Sequence, residues 1–147
     1  MSEFIDDKPS TSFWLIGGAA LIWNLLGIYA YYMQVTATPD TWGAAGYSAE
    51  QIAALQAIPA WATGASGLAT TCGVLASVLL LLRKSLAETM FIVSLLGLLL
   101  QNLHAFVLAD TIAAFGMVPV YIQTTVMIIA LLLIWYARRA KAKGWLS

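Results

Sequence analysis

Four polar side chains interrupt the apolar stretches of this chain and are the groups best placed to do chemistry there: Asn24, Gln101, Asn102 and His104. A donor or acceptor in apolar surroundings has no water to bond, so we expect each of them to face protein as an intramembrane polar contact. His104 is the only histidine, and imidazole is the side chain best suited to proton transfer or ligand binding near neutral pH. The alternative is a neutral His104 that only hydrogen-bonds between helices.

The spacing of these residues predicts which helix faces meet. Four residues recur at intervals of three or four along one predicted helix: Gly97, Gln101, His104 and Leu108. Asn24 and Gly27 share a face of an earlier helix in the same way. We therefore expect the two faces to touch, with Gly27 and Gly97 as packing positions. Intramembrane hydrogen bonds of this kind contribute about 0.6–2 kcal/mol, so they would specify the packing more than drive it.

The apolar stretch after Pro59 is rich in small residues. Four of them are candidate packing positions: Gly64, Ala69, Gly73 and Ser77. Small side chains let helix backbones approach closely inside a membrane. The pattern predicts that this helix lies at the centre of the bundle or at a contact between copies. A substrate path along these small polar positions is the alternative.

The sequence contains no complete catalytic or cofactor-binding motif. Paired carboxylates, a nucleophile with a base, and a metal-ligand cluster are all missing at membrane depth. A single histidine cannot supply two axial haem ligands, and His104 with Asp110 falls short of the three or four ligands of common zinc sites. Cys72, the only cysteine, is expected to be an inert packing residue. We expect no enzymatic activity, no metal and no cofactor.

Composition indicates that the elements holding these residues lie in a lipid bilayer. Hydrophobic residues make up 61% of the chain and charged residues 10%, with a mean hydropathy of +0.84, far from the balance of a soluble domain. Four stretches are long enough to span the hydrocarbon core, at about residues 13–34, 60–82, 86–109 and 119–137. The sequence predicts an all-α integral membrane four-helix bundle, forming a single domain over residues 1–147.

The basic residues predict how the bundle is oriented. All seven Lys and Arg residues fall on one side of the four predicted spans: Lys8, Arg83, Lys84, Arg138, Arg139, Lys141 and Lys143. Four acidic residues lie on the same side. The other side carries three acids and no base. Because cytoplasmic loops retain Lys and Arg during insertion, we expect both termini in the cytoplasm, with residues 138–147 as a basic cytoplasmic tail. This short tail serves as a membrane anchor, so nucleic acid is not an expected partner.

The connection over residues 35–58 predicts a short amphipathic helix on the outer surface, between the first and second spans. Ser48 and Gln51 fit a capping box at its start. Ser85 and Glu88 fit a second capping box, which would open the third span. A simple lid over the helix ends and a ligand-gating element are the two interpretations of the outer helix.

Four segments of the chain resemble a known group of proteins. They are Leu-Ile-Trp-Asn-Leu-Leu-Gly at 21–27, Ile-Pro-Ala-Trp-Ala-Thr-Gly at 58–64, Leu-Leu-Leu-Arg-Lys at 80–84, and the Trp-Tyr-Ala-Arg-Arg segment that continues to residue 146. Together they resemble small uncharacterised four-span inner-membrane proteins of bacteria, some of which are automatically labelled sugar transporters. The resemblance implies a location in the inner membrane of a Gram-negative bacterium.

Two functions are compatible with these features. The first is a non-catalytic interaction or accessory subunit that packs in a larger membrane complex, with a membrane protein or a second copy as its partner. The second is an oligomeric carrier for a small neutral solute, in which the four intramembrane polar side chains orient the solute.

Overall fold

The structure, a computed structural model, describes residues 8–147, which form helices and no strands. Four helices are long and apolar enough to cross a membrane. They are α1 (Thr11–Thr36), α4 (Ala60–Leu81), α5 (Leu86–Leu103) and α7 (Val118–Ala142). A π-helical turn, His104–Leu108, extends α5. The chain is therefore a multi-pass membrane protein built as a four-helix bundle, as its composition predicts.

Three short helices connect the spans at one end: α2 (Pro39–Ala44), α3 (Ala49–Gln56) and α6 (Thr111–Phe115). The predicted outer helix is α3, and its capping box forms, with Ser48 Oγ accepting from the Gln51 backbone N–H at 3.2 Å. Helix α2 lies earlier in the same connection, where no helix was predicted. That helix forms because Pro39 occupies its first turn while the Thr38 side chain caps it.

The expected capping box at the start of α5 does not form. Ser85 itself has helical backbone angles and its side chain makes no cap hydrogen bond. Glu88 instead accepts a hydrogen bond from Arg138 Nε at 2.7 Å, and Lys141 Nζ lies 3.7 Å from its other oxygen. The prediction was wrong because two cations on α7 compete for the carboxylate, a long-range effect that local spacing does not reveal.

The long helices pack in chain order, α1 against α4, α4 against α5 and α5 against α7, whereas the backbones of α1 and α7 stay apart and these two helices meet through side chains such as Phe13 and Tyr136. Helix α4 is the most buried of the four, which confirms its predicted central place. Its closest approach is to α5 at Gly97, where a Cβ atom would lie 2.7 Å from Ala65 O and 2.9 Å from Ala69 N. Only glycine allows the two backbones to come this near.

One end of the bundle, which we name the basic end, gathers all seven Lys and Arg residues. Its core is closed by Phe13, whose ring meets those of Tyr136 and Trp145 at centroid distances of 6.3 and 5.8 Å. The last residues fold back onto the α4–α5 turn, where Arg83 Nε donates to Trp145 O at 2.8 Å and the Ser147 N–H donates to Arg83 O at 2.9 Å. The expected tail is thus packed against the bundle.

The opposite end, named the acidic end, carries Asp40, Glu50 and Asp110 on α2, α3 and the residue before α6. Neither the three short helices nor the π-helical turn contains a fully buried residue. The acidic end is therefore much more loosely packed than the basic end.

Candidate functional site

Asn24 forms the polar contact between α1 and α4. Its Nδ2 donates to Ala20 O at 2.8 Å and to Ser77 Oγ at 3.0 Å, while Ser77 donates onward to Gly73 O at 2.9 Å. Gly73 is required here, because a Cβ atom would run into the Asn24 amide. The expected contact with Gln101 and His104 is not made, since α4 rather than the acidic-end part of α5 packs beside Asn24.

Ser94 is the corresponding polar contact between α4 and α5, and the sequence analysis missed it. Its Oγ donates to Ala69 O at 2.6 Å, and both residues are buried. The signal was available, because Ser94 lies three residues before Gly97 on the same helical face. Ala69, Gly73, Ser77 and Gly97 therefore all lie at helix contacts.

Two of the predicted packing glycines are not tightly packed. Gly64 is exposed, and a Cβ atom there would have nothing within 4 Å. Gly27 is half-buried, with Thr70 Cγ2 at 3.7 Å from the position of a Cβ atom. Gly64 thus faces away from the neighbouring helices, and Gly27 lies beside open space.

That open space is a cleft between α1 and α7, which we name the α1–α7 cleft. Trp23 lines three voids along it, of about 240, 370 and 30 Å³. Ala69 and Thr70 of α4 and Ser94 of α5 form part of its floor, and Gly27 lies on its α1 wall. Asn24 also borders the cleft; its Oδ1 lies against Gly73 of α4 and accepts no hydrogen bond from the part of the chain that the structure describes.

A second concavity, the acidic-end cavity, lies between the short helices and the halves of the spans nearest the acidic end, with a volume of about 260 Å³. Polar side chains from all four long helices and the π-helical turn contribute to its wall: Gln34, Thr63, Ser66, Gln101, His104 and Gln123. Two of these, Gln101 and His104, were singled out from the sequence. Gln34 and Gln123 were not, because they lie near the ends of spans where water-accessible glutamines are ordinary.

The π-helical turn decides which residues face this cavity. Its hydrogen bond runs from the Ala109 N–H to His104 O at 2.7 Å, one residue wider than in an α-helix. Ala105 and Ala109 consequently line the cavity, while Leu108, expected on the face of His104, is 64% exposed. Trp61 meets the imidazole ring of His104 edge-on, with the ring centroids 5.6 Å apart.

The short helices cover the cavity. Gln51 Nε2 donates to Ala114 O at 3.2 Å, which joins α3 to α6. Tyr47 and Phe115 add an edge-to-face contact at 6.2 Å. Leu55 and Ile58 supply apolar parts of the cover.

Two buried side-chain oxygens have no hydrogen-bond partner among the described residues, Gln123 Oε1 and Asn102 Oδ1. Gln123 lines the acidic-end cavity and Asn102 does not. We have no physical account of the Asn102 oxygen. Gln123 therefore contributes to the cavity wall, while its Oε1 is buried without a partner and has almost no accessible surface.

Comparisons of this chain with protein families, with curated proteins and with solved structures find no match.

Proposed function

We propose that this protein is a non-catalytic accessory subunit of a bacterial inner membrane, and that it receives one transmembrane helix of a larger membrane protein in the α1–α7 cleft. The main observation behind this proposal is the gap between the backbones of α1 and α7, whose base is formed by small residues of α4 and α5. Helices in membranes associate where small residues permit close backbone approach.

The proposed orientation places the basic end in the cytoplasm. All seven Lys and Arg residues lie there, and none accompanies Asp40, Glu50 and Asp110 at the acidic end. This asymmetry supports cytoplasmic termini, because basic residues are retained on the cytoplasmic side during insertion. Labelling of cysteines introduced at Lys8 and at Glu50 with an impermeant reagent tests it, and modification of the Lys8 position in intact cells would reverse the orientation.

The free acceptor of Asn24 favours a protein helix over a lipid chain as the occupant of the cleft. An acyl chain carries no hydrogen-bond donor, and water is scarce at this depth, so Oδ1 remains unsatisfied beside lipid. A Ser, Thr or Asn side chain on a passing helix can donate to it. Such bonds are modest but recur at contacts between membrane helices.

The concave shape favours a different protein over a second copy. In a two-fold dimer the same surface of each copy faces the other. Two clefts placed face to face leave a gap, whereas a single helix can lie along one cleft. A crosslinked dimer of this chain through the cleft would therefore contradict the proposed partner.

Two matched glycine variants test the proposal. Gly27→Leu places a large side chain in the cleft without a backbone clash. Gly18→Leu is the control: it makes the same change on the same helix at a residue that does not border the cleft. A Cβ atom at Gly18 meets nothing within 4 Å. We expect a membrane protein to co-purify in mild detergent with wild type and Gly18→Leu but not with Gly27→Leu. Equal recovery with both variants would reject the cleft as the docking surface.

A carrier for a small neutral solute is the second candidate, and the polar acidic-end cavity is the observation that favours it. In this conformation the basic end is closed by Phe13, Leu80 and Ala137, all fully buried, so transport would require that end to open. Swelling of proteoliposomes in iso-osmotic xylitol tests for this activity. Swelling no faster than that of empty liposomes would count against a carrier.

A further inference from the structure

The acidic-end cavity has the features of a binding site, which an accessory role through the α1–α7 cleft does not need. It is covered by α3 and α6 and lined by side chains that converge from separate helices. Ligand sites are typically concave and mostly apolar, with a few polar groups that fix orientation. Its volume of about 260 Å³ lies below the roughly 300–1,000 Å³ of pockets for drug-sized molecules, so its ligand is small.

The unsatisfied group in the wall is an acceptor. Gln123 Oε1 is buried and has no partner among residues 8–147, and a buried acceptor without a partner carries a desolvation cost of about 1–3 kcal/mol. A ligand that donates a hydrogen bond removes this cost once the Gln123 amide, whose oxygen has almost no accessible surface in this conformation, turns that oxygen toward the cavity. The hydroxyl oxygens of Thr63 and Ser66 and the amide oxygens of Gln34 and Gln101 can also accept from such a ligand.

The charges around the cavity favour a neutral ligand. No Lys or Arg lines it, so nothing there compensates a buried anion. Asp110 is the one acid that residues 8–147 contribute to the wall; it is exposed, and its Oδ1 already accepts from the Ala113 N–H at 3.2 Å. A single exposed carboxylate is a weak basis for holding a cation. His104 in its neutral form can donate or accept.

The π-helical turn also supports a binding site in the acidic-end cavity. It widens the last turn of α5 so that Ala105, Phe106 and Ala109, rather than Leu108, lie against the cavity beside His104. Single π-helical turns within α-helices are found frequently at functional sites.

We infer that the acidic-end cavity binds a small neutral molecule that donates hydrogen bonds, of the polyol or simple amide class, with Gln123 Oε1 as a principal acceptor. Binding is independent of whether the molecule then crosses the membrane. It is equally independent of a partner in the α1–α7 cleft.

Because His104 is the only histidine in the chain, isotope-labelled histidine gives an NMR signal from this one cavity residue. The purified protein in nanodiscs is titrated with xylitol, urea, tetramethylammonium and succinate. We expect a saturable shift of the His104 signal with xylitol or with urea, and the stronger of the two identifies the hydroxyl or the amide class. No saturable shift with either, or tighter binding of either ion, would overturn the inference.

A pair of substitutions locates the contact. Gln123→Met removes the acceptor at similar size and is expected to weaken binding about tenfold, the upper range for one neutral hydrogen bond. Gln56→Met makes the same change at an exposed residue of α3 outside the cavity and should leave affinity unchanged. Equal affinity in both variants would contradict the site. Should Gln123→Met fail to fold, Thr63→Val removes a lining hydroxyl at constant volume, and unchanged affinity there would likewise contradict it.

The outcome is separable from that of the co-purification experiment. Loss of the partner in Gly27→Leu with normal ligand binding leaves both proposals standing. Absence of ligand binding in a protein that still co-purifies with its partner removes only the cavity site.

Discussion

The two ends of the bundle are built differently. At the basic end Phe13 is fully buried against two aromatic rings, and backbone hydrogen bonds tie the last residues to the α4–α5 turn. At the acidic end three short helices without a fully buried residue cover a polar cavity. The comparison indicates that the basic end holds the fold together, while the acidic end, with few buried contacts, is the part free to open around a ligand.

Truncating one aromatic ring at each end tests this contrast most strongly. Phe13→Ala removes a ring with no exposed surface, and Phe→Ala changes in cores cost about 3–5 kcal/mol. Phe115→Ala removes a half-buried ring from the cover, where little packing is lost. We expect a large fall in melting temperature for Phe13→Ala alone, measured by size-exclusion chromatography after heating in detergent. A similar fall for both variants would mean that the two ends contribute equally to stability.

The α4–α5 contact separates two glycines that look alike in sequence. Gly97→Leu forces atoms against Ala65 O and Ala69 N, and overpacking of this kind costs about 1–3 kcal/mol or more. Gly64→Leu meets nothing within 4 Å and is expected to be neutral. Thermal stability of the two purified variants distinguishes them. Destabilisation by Gly64→Leu would indicate an additional contact on the exposed face of α4, such as a partner.

The two asparagines of the spans should respond in opposite directions. Asn24→Leu removes the hydrogen bond to Ser77, a loss of about 0.6–2 kcal/mol by the measured range for membrane helices. Asn102→Leu removes a buried oxygen without a partner, so it is expected to be neutral or stabilising. Denaturant titration of both variants provides the measurement. A destabilised Asn102→Leu would show that this oxygen has a partner in the membrane.

The ion pairs of the basic end should give the smallest effect. Glu88→Gln weakens the contacts with Arg138 and Lys141, both on exposed side chains, and such pairs contribute about 0.2–1 kcal/mol. The effect should shrink in high salt because exposed charges are screened. Glu50→Gln, on the acidic end, is the matched control, since Glu50 forms no salt bridge within residues 8–147. An effect of Glu88→Gln that persists in high salt would point to a role other than charge pairing.

Local contacts could be predicted from the sequence, whereas contacts between residues far apart in the chain could not. The Ser48–Gln51 capping box formed because both partners lie within one turn. The Ser85–Glu88 box did not, because cations fifty or more residues away compete for the carboxylate. Of the polar candidates, Asn24 found its partner on α4, and Gln101 and His104 came together at a cavity rather than beside Asn24. Gln123 gave no sequence signal, because its importance lies in a missing partner.

The sequence by itself determined the four spans, the gathering of cations at one end and the central place of the small-residue helix α4. These features depend on composition and on the patterns of charge and side-chain size along single helices. Each helix inserts into the bilayer according to its own pattern, whichever helices it later packs against. Only the tertiary structure decided that α1 and α7 stand apart, that a π-helical turn shifts the wall of a cavity, and that Gln123 is left with a free acceptor. The physical reason is that these features depend on which helix faces meet, and each helix offers several small or apolar faces of nearly equal packing energy.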